Sequence, residues 1–175
     1  MTDLRYPIGH ETIPESSTAE ERVLWMDAVA ATPGALRAAV HGLSDEQLET
    51  PYRDGGWTIR QVVHHVADSH MNAYIRAKLA LTEDEPVIKP YDEARWAELA
   101  DGRFENVAIS LVLLDTLHTR WVLLMQSLTE SQWQRKFIHP EKGPVRLDQQ
   151  LASYAWHGRH HVAHITALRA RMGWR

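Results

Sequence analysis

The chain has 175 residues, of which 44% are hydrophobic and 24% are charged, and its formal net charge is −4. These values predict one soluble globular domain over residues 1–175, with a hydrophobic core of its own. The acidic balance and the lack of a basic run argue against a nucleic-acid binder, and no uninterrupted apolar stretch indicates a membrane span or a signal peptide. We therefore expect a cytoplasmic protein that acts on a small molecule.

Cysteine is absent from the sequence, whereas histidine occurs 11 times. Without cysteine there is no disulfide, no thiolate metal ligand and no protein thiol nucleophile. Any metal ion must therefore be held by histidine, aspartate or glutamate side chains.

The first elements in chain order are an extended arm and a helix. Residues 1–16 show no helical periodicity and predict an arm that is either disordered or laid across the body or a partner subunit. Ser17 or Thr18, followed by an acidic residue at 20 or 21, matches a capping box that begins the first helix. The pair Pro33-Gly34 is expected to bend or break this helix.

Apolar residues at helical spacing predict three further long helices, over about residues 58–82, 105–128 and 147–173. The last begins near Leu147 or Asp148 as N-cap and ends at Gly173. The connection over residues 83–104, with a short helix near 92–99, is long enough to cross over between parallel helices. No segment shows strand-like alternation. The predicted fold is an all-α four-helix bundle with two long connections.

Four histidines lie within eight residues of the last helix: His157, His160, His161 and His164. Histidines four apart lie one helical turn from each other, so two imidazoles can share one metal ion. At about 100° per residue, His161 lies nearest the middle of the apolar stripe, His157 next, His164 third and His160 farthest out. This ranking favours the pair His157 and His161, although all four lie within a sector of about 100°.

The second helix supplies a third candidate ligand. His65 lies at the edge of its apolar stripe, whereas His64 points away from that stripe. A ribbon of polar side chains follows His65 along the helix and is typical of a cavity wall: Ser69, Asn72 and Arg76. Asp68, one turn beyond His65, is a candidate to orient an imidazole or to act as a base.

Plainer interpretations exist for most of these residues. A pair of histidines four apart is, taken alone, more often a surface pair than a metal site. His118 and Trp121 fit core packing on the third helix better than a pocket. The remaining histidines considered carry no functional assignment: His10, His41, His70 and His139.

The strings at residues 50–72 and 154–174, with shorter strings at 6–9 and 117–121, resemble the YfiT-like branch of the DinB superfamily. Members of this branch are labelled metal-dependent hydrolases. Relatives in the superfamily are similar to thiol-dependent transferases, which conjugate bacillithiol or mycothiol to electrophiles, or to a thiol-dependent isomerase. The resemblance implies an up-down-down-up four-helix bundle, a homodimer and one divalent ion held by three histidines. Its pattern places the ligands at His65, His157 and His161, and a non-ligand at His164.

Three imidazoles leave one coordination position open on Zn²⁺, the expected ion ahead of Ni²⁺ or another transition metal. A water bound there becomes hydroxide and gives hydrolysis of a small ester or amide, whereas a thiol becomes thiolate and gives S-transfer. Because neither ligand helix offers a glutamate base near the site, the sequence favours S-transfer with a bacillithiol-type co-substrate.

Three arginines are candidates to hold a carboxylate of that thiol: Arg53, Arg76 and Arg159. The alternative from another class is a non-enzymatic, metal-stabilised dimeric bundle that acts as a sensor or scaffold. It predicts that His164 or a carboxylate closes the fourth coordination position, and that no cavity adjoins the metal.

Overall fold

Four long helices carry most of residues 3–174, the part of the chain that the computed structural model describes. The elements are α1 (Ala19–Val40), α2 (Asp45–Leu48), α3 (Ile59–Thr82), α4 (Glu93–Trp96), α5 (Ala100–Arg103), α6 (Val107–Gln126), α7 (Glu130–Trp133), β1 (Lys136–His139), β2 (Gly143–Arg146) and α8 (Leu147–Met172). The long helices α1, α3, α6 and α8 form the predicted four-helix bundle.

Side-chain caps begin α1 and α3 where the sequence predicts. Thr18 and Glu21 form a reciprocal capping box at α1, and Thr58 and Gln61 form another at α3. Each box satisfies backbone N–H groups that have no partner within the first helical turn. These caps fix the start of α3 and hence the register of the side chains that it presents to the bundle.

The predicted N-cap of α8 is wrong, although its end is confirmed. Arg146 is the N-cap, and Asp148 instead lies inside the first turn, 1% exposed, with its carboxylate paired to the Arg146 side chain at 3.0 Å. Asp148 also accepts a hydrogen bond from the Ser17 hydroxyl, which ties the start of α8 to the segment before α1. Gly173 ends the helix in the left-handed region, with φ 67°.

Of the bend or break expected at Pro33-Gly34, the break does not occur, because α1 continues through Pro33 to Val40. Proline lacks the N–H that would bond the carbonyl four residues earlier, so α1 loses one helical hydrogen bond at Val29. The Val29 carbonyl accepts a hydrogen bond from Nδ1 of His118 on α6, 2.6 Å away. A side chain of a neighbouring helix therefore satisfies the acceptor that the proline leaves open.

A short β-hairpin interrupts the helical pattern, so the expectation of a chain without strands is wrong. Strands β1 and β2 pair antiparallel, from Lys136 opposite Arg146 to His139 opposite Gly143. Each strand has only four residues, too few for alternating hydrophobicity to stand out in the sequence. Gly143, with φ 76°, closes the turn between them.

Contacts between α3 and α6 show that these helices run parallel. Arg60 donates to the Glu105 carbonyl near the start of both, and His70 contacts His118 about three turns further along. The segment between Thr82 and Val107 therefore crosses the length of the bundle, as its length predicts.

Helix α8 runs parallel to α1 and antiparallel to α3. Ser17 bonds Asp148 at one end of the α1–α8 pair, and Arg169 donates to the Ala39 carbonyl at the other. Gln150 on α8 reaches the Ala73 carbonyl late in α3. The bundle thus has the up-down-down-up order.

Helix α6 is the one helix of the described chain that is long and apolar enough to span a membrane, with 20 residues and a mean hydropathy of 1.5. Length and composition alone do not separate a span from a bundle helix, and one side of α6 packs in the core: Leu111, Leu114, Leu117, Trp121 and Met125. Its outer side exposes Ile109, Val112 and Leu123. The homodimer that the family resemblance implies remains a prediction.

The amino-terminal arm lies across α8 over its described residues. The Arg5 carbonyl accepts a hydrogen bond from Nε2 of His164, and the Pro14 carbonyl accepts one from the Gln149 amide. The first two residues of the predicted arm lie outside the described part of the chain.

Close packing of α1 against α8 depends on Gly158, where an added Cβ would lie 2.4 Å from Oγ1 of Thr32. We expect Gly158→Ala to lower the free energy of unfolding by about 1–3 kcal/mol, because the helices would have to separate. Gly34→Ala is the matched control, since nothing lies within 4 Å of its added Cβ; it should stabilise α1 by about 0.5–1 kcal/mol. Urea unfolding measures both, and equal effects of the two changes would contradict the assigned contact.

Candidate metal centre

Three imidazoles meet between α3 and α8. His65 comes from α3, and His157 and His161 from successive turns of α8; one ring nitrogen of each lies within 4.8 Å of the other two. The Nε2 atoms of His157 and His161 are 3.2 Å apart. Two nitrogens bound tetrahedrally to one zinc ion at about 2.0–2.1 Å would be separated by about 3.3 Å. The three side chains therefore fit a divalent ion.

Burial keeps these three rings in the neutral form that a metal ligand requires. Burial, followed by the nearby His164, lowers the pKa of His65 to about 4. Burial, followed by the neighbouring histidines, also holds the pKa values of His157 and His161 well below their usual range. Each neutral imidazole retains a lone pair that can bind a metal ion.

Two aromatic side chains, Trp57 and His70, contact the three rings, and the sequence alone did not indicate either contact. Trp57, just before the N-cap of α3, lies 4.5 Å from His65 and 6.5 Å from His161 between ring centroids. His70, with no assigned role in the sequence, is fully buried, and its Nε2 lies 3.1 Å from Nδ1 of His157. Because Trp57 is large and apolar, it shields one side of the site from water.

A cavity of about 850 Å³ opens beside the three histidines. Its walls come from α3, α8, the crossover, the hairpin and the arm: Glu11, Trp57, His65, Ser69, Arg76, Pro90, Tyr91, Asp92, Glu93, Ala94, Phe137, His139, Glu141, Lys142, Val145, Gln150, Ser153, Tyr154, Trp156, His157 and His161. This volume suits a small organic molecule. Ser69 and Arg76 of the predicted polar ribbon line it, whereas Asn72 does not.

Of the three candidate arginines, Arg76 alone lines this cavity. No hydrogen bond or ion pair within residues 3–174 occupies its guanidinium group. Arg53 lies over the Tyr52 ring and donates to the Asp54 carbonyl, and Arg159 donates to the Ala155 carbonyl of its own helix. Arg76 is therefore the candidate that can meet a ligand.

Asp68 does not take the predicted place beside an imidazole. Its carboxylate bonds no histidine in the described part of the chain and does not line the cavity, while His70 makes the contact with His157 instead. Burial, followed by repulsion from Asp101, raises the pKa of Asp68 to about 6.

The other histidines near the site are buried by elements that helix angles alone do not include. His64 packs against α6, with Nδ1 2.7 Å from the Ser110 hydroxyl. His160 is 7% exposed, so its predicted outward position is wrong: Trp156 stacks on it and Tyr6 of the arm lies nearby. His164 stacks on Tyr52 and bonds the arm, and it does not join the three converging rings.

The predicted core position of His118 and Trp121 agrees with their burial. They are 2% and 1% exposed, and neither lines the cavity. His118 nevertheless contacts His70, so it belongs to the same row of rings as His157.

Residues 28–165 match the DinB superfamily. The chain belongs to this superfamily. It is 54% identical to a Bacillus cereus protein named "Putative metal-dependent hydrolase" and 53% identical to one of that name from Bacillus mycoides, in each case over 99% of this chain and 100% of the relative.

Two solved four-helix-bundle structures are similar to this chain. The chain matches YfiT from Bacillus subtilis, described as "a probable metal-dependent hydrolase with an unusual four-helix bundle topology", with a TM-score of 0.97 and 50% identity over 99% of this chain and 100% of that one. The four-helix bundle protein TT2238 matches at a TM-score of 0.57 and 24% identity, over 87% and 99% of the two chains, and supports the fold alone. The resemblance to the YfiT branch is thereby confirmed.

The raised pKa of Asp68 predicts a pH dependence of stability. The folded chain holds the Asp68 proton up to about pH 6, whereas the unfolded chain releases it near its ordinary value of 3.8. Ionised Asp68 therefore destabilises the fold above about pH 6, and this cost disappears as the pH falls toward 4. We expect the stability gain of Asp68→Asn over the wild type to grow between pH 4 and pH 7, measured by urea unfolding of metal-free protein. A constant difference would contradict the buried position of this carboxyl.

Proposed function

We propose that this DinB-superfamily protein is a metal-dependent enzyme that transfers a low-molecular-weight thiol to an electrophile. His65, His157 and His161 would hold one divalent ion, Zn²⁺ ahead of Ni²⁺ or another transition metal. When bound, such an ion lowers the pKa of a thiol or water that reaches it. The convergence of three imidazoles, two buried and one partly buried, beside an open cavity carries this proposal.

The cavity favours an enzyme over a metal-stabilised scaffold. A scaffold needs a closed coordination position, which His164 was the candidate to fill. His164 instead has partners outside the site: its Nε2–H donates to the Arg5 carbonyl oxygen, 3.0 Å away, and its ring stacks on Tyr52. An adjoining volume of about 850 Å³ leaves room for a substrate.

The position of the carboxylates favours a thiol over water as the nucleophile. Metal-dependent hydrolysis commonly uses a carboxylate base close to the water, as in helices that carry His-Glu-x-x-His. The carboxylates lining this cavity come from the arm, the crossover and the hairpin: Glu11, Asp92, Glu93 and Glu141. None lies on the ligand helices α3 and α8. A thiol needs no such base once its pKa is lowered.

The transfer balances without an oxidant or reductant. The thiol loses its proton, and its sulfur forms a bond to the electrophilic carbon. The leaving group departs with the electron pair of its broken bond, as chloride from a chlorinated electrophile, and the thiol proton passes to solvent. Arg76, in the cavity wall and without an ion-pair partner among residues 3–174, would bind a carboxylate of the thiol through charge-assisted hydrogen bonds.

Hydrolysis of a small ester or amide is the second candidate, because close relatives carry the name of metal-dependent hydrolases. The same three histidines would serve it. The two reactions differ in whether turnover requires an added thiol, so one assay separates them.

The ligand assignment predicts zinc content. We expect His65→Ala, His157→Ala and His161→Ala each to lose most of the bound zinc after dialysis, because two imidazoles bind far more weakly than three. His160→Ala is the matched control on the same helix and should retain the ion. Elemental analysis of purified protein measures this, and zinc loss in His160→Ala with retention in His157→Ala would show that the assigned pair is wrong.

The proposed reaction predicts thiol-dependent turnover. Zinc-loaded protein, incubated with a fluorogenic chlorinated electrophile, should form the thioether with bacillithiol and none above background without it. Arg76→Met should raise the KM for bacillithiol about tenfold, the effect of one charge-assisted hydrogen bond, whereas Arg159→Met should not. Zinc-dependent turnover of an ester or amide without thiol would replace S-transfer by hydrolysis.

A further inference from the structure

Two buried histidines connect His157 to the backbone of α1. Nδ1 of His157 lies 3.1 Å from Nε2 of His70, and Nδ1 of His70 lies 2.9 Å from Nε2 of His118. At the far end, Nδ1 of His118 lies 2.6 Å from the Val29 carbonyl oxygen. His70 and His118 are 0% and 2% exposed, so bulk water does not compete for these contacts. We call this row, from Val29 to His157, the histidine relay.

The Val29 end determines the direction of every hydrogen bond in the histidine relay. A carbonyl oxygen only accepts, so His118 carries its proton on Nδ1. In a neutral imidazole the other nitrogen accepts, so His118 Nε2 accepts from Nδ1–H of His70. By the same rule, His70 Nε2 accepts from Nδ1–H of His157. Nε2 of His157 is then left with its lone pair, and this is the atom that lies 3.2 Å from Nε2 of His161.

The rings of the histidine relay are buried or partly buried, and no carboxylate of residues 3–174 hydrogen-bonds them, so they are held in the neutral form. None of their hydrogen bonds goes to a carboxylate: the partners are each other, a backbone carbonyl and the candidate ligands. A charged imidazole without such a partner is costly to bury. An added proton would also place a hydrogen on Nε2 of His157 and block its lone pair.

Pro33 explains why a helix carbonyl is available to end the row. In a regular α-helix the Val29 carbonyl would accept from the backbone N–H of residue 33. Residue 33 is a proline inside α1 and has no N–H. The carbonyl is therefore open toward α6, where His118 bonds it.

We propose that His70 and His118 are positioning residues of the metal centre, which hold His157 as the Nδ1–H tautomer and direct its Nε2 lone pair at the ion. The proposal rests on the metal site of the proposed function. A ligand held in one tautomer and one orientation does not have to reorganise before it binds, and loss of such a partner typically weakens metal binding about 10–100-fold.

Zinc affinity tests this assignment. Competition with a chromogenic chelator should give a zinc dissociation constant about 10–100-fold higher for His70→Phe than for the wild type. His64→Phe is the matched control, since His64 is a buried histidine of the same helix with two hydrogen bonds of its own outside the histidine relay. Equal affinities of His70→Phe and His64→Phe would overturn the proposal.

The tautomer of His157 is a second measurement. It would not change in the variants if His70 and His118 only stabilised the fold. In metal-free protein, two-bond ¹H–¹⁵N spectra of the imidazoles should show Nδ1 of His157 protonated and Nε2 unprotonated. His118→Phe should mix the two tautomers, because His70 loses the acceptor that fixes its direction. A wild-type His157 protonated on Nε2 would overturn the proposal.

Pro33→Ala keeps the test decisive where a histidine variant does not fold. It favours helix formation while restoring an N–H that competes for the Val29 carbonyl. It should raise the zinc dissociation constant in the same direction as His70→Phe, by a smaller factor, and wild-type affinity together with a wild-type tautomer would count against the relay. If the wild type binds no zinc, the proposed function fails, while the tautomer measured without metal still decides the relay.

Discussion

The antiparallel contact between α3 and α8 is the constraint on which the candidate site depends. It sets His65 on one helix opposite the turn between His157 and His161 on the other. The parallel pairing of α3 with α6 then places His118 behind the same site. Because three of the four long helices contribute a histidine to one row of contacts, a shift of any of them along its axis by one turn would separate the rings.

Burying this many polar rings opposes folding, and the structure offsets only part of the cost. His70, His118 and His157 satisfy one another, whereas Nδ1 of His160, His161 and His164 has no hydrogen-bond partner within the described chain. A buried polar atom without a partner costs about 1–3 kcal/mol. An ion that binds only the folded chain would return stability by mass action, so the fold and the site are coupled energetically.

Local signals in the sequence predicted most of the architecture. The capping signal at Ser17 or Thr18 and apolar periodicity predicted the long helices, and the length of the crossover predicted the parallel pair. The three converging histidines followed from helix angles within two separate helices. These features depend on residues close together in the chain, which is why the sequence alone revealed them.

Contacts between distant segments explain most of the features that the sequence analysis predicted wrongly or did not predict. Burial of His160 comes from the arm and from Trp156, and His70 acquires its role only when α6 supplies a partner from 48 residues away. Pro33 was expected to bend or break α1, because the sequence does not show that a neighbouring helix satisfies the open carbonyl. The hairpin was missed because its strands have four residues each. For His160, His70 and Pro33, a contact from another element of the fold is part of the reason.

The cavity has two kinds of wall, which differ in how well they tolerate changes of sequence. The histidines lie on long helices whose packing is constrained along the whole bundle, whereas the outer walls belong to the crossover around residues 90–94 and to the hairpin around residues 137–145. Loops and short strands tolerate substitution and insertion better than packed helices do. Substitutions in the crossover or the hairpin can therefore change which molecule the cavity admits while the three histidines keep their positions.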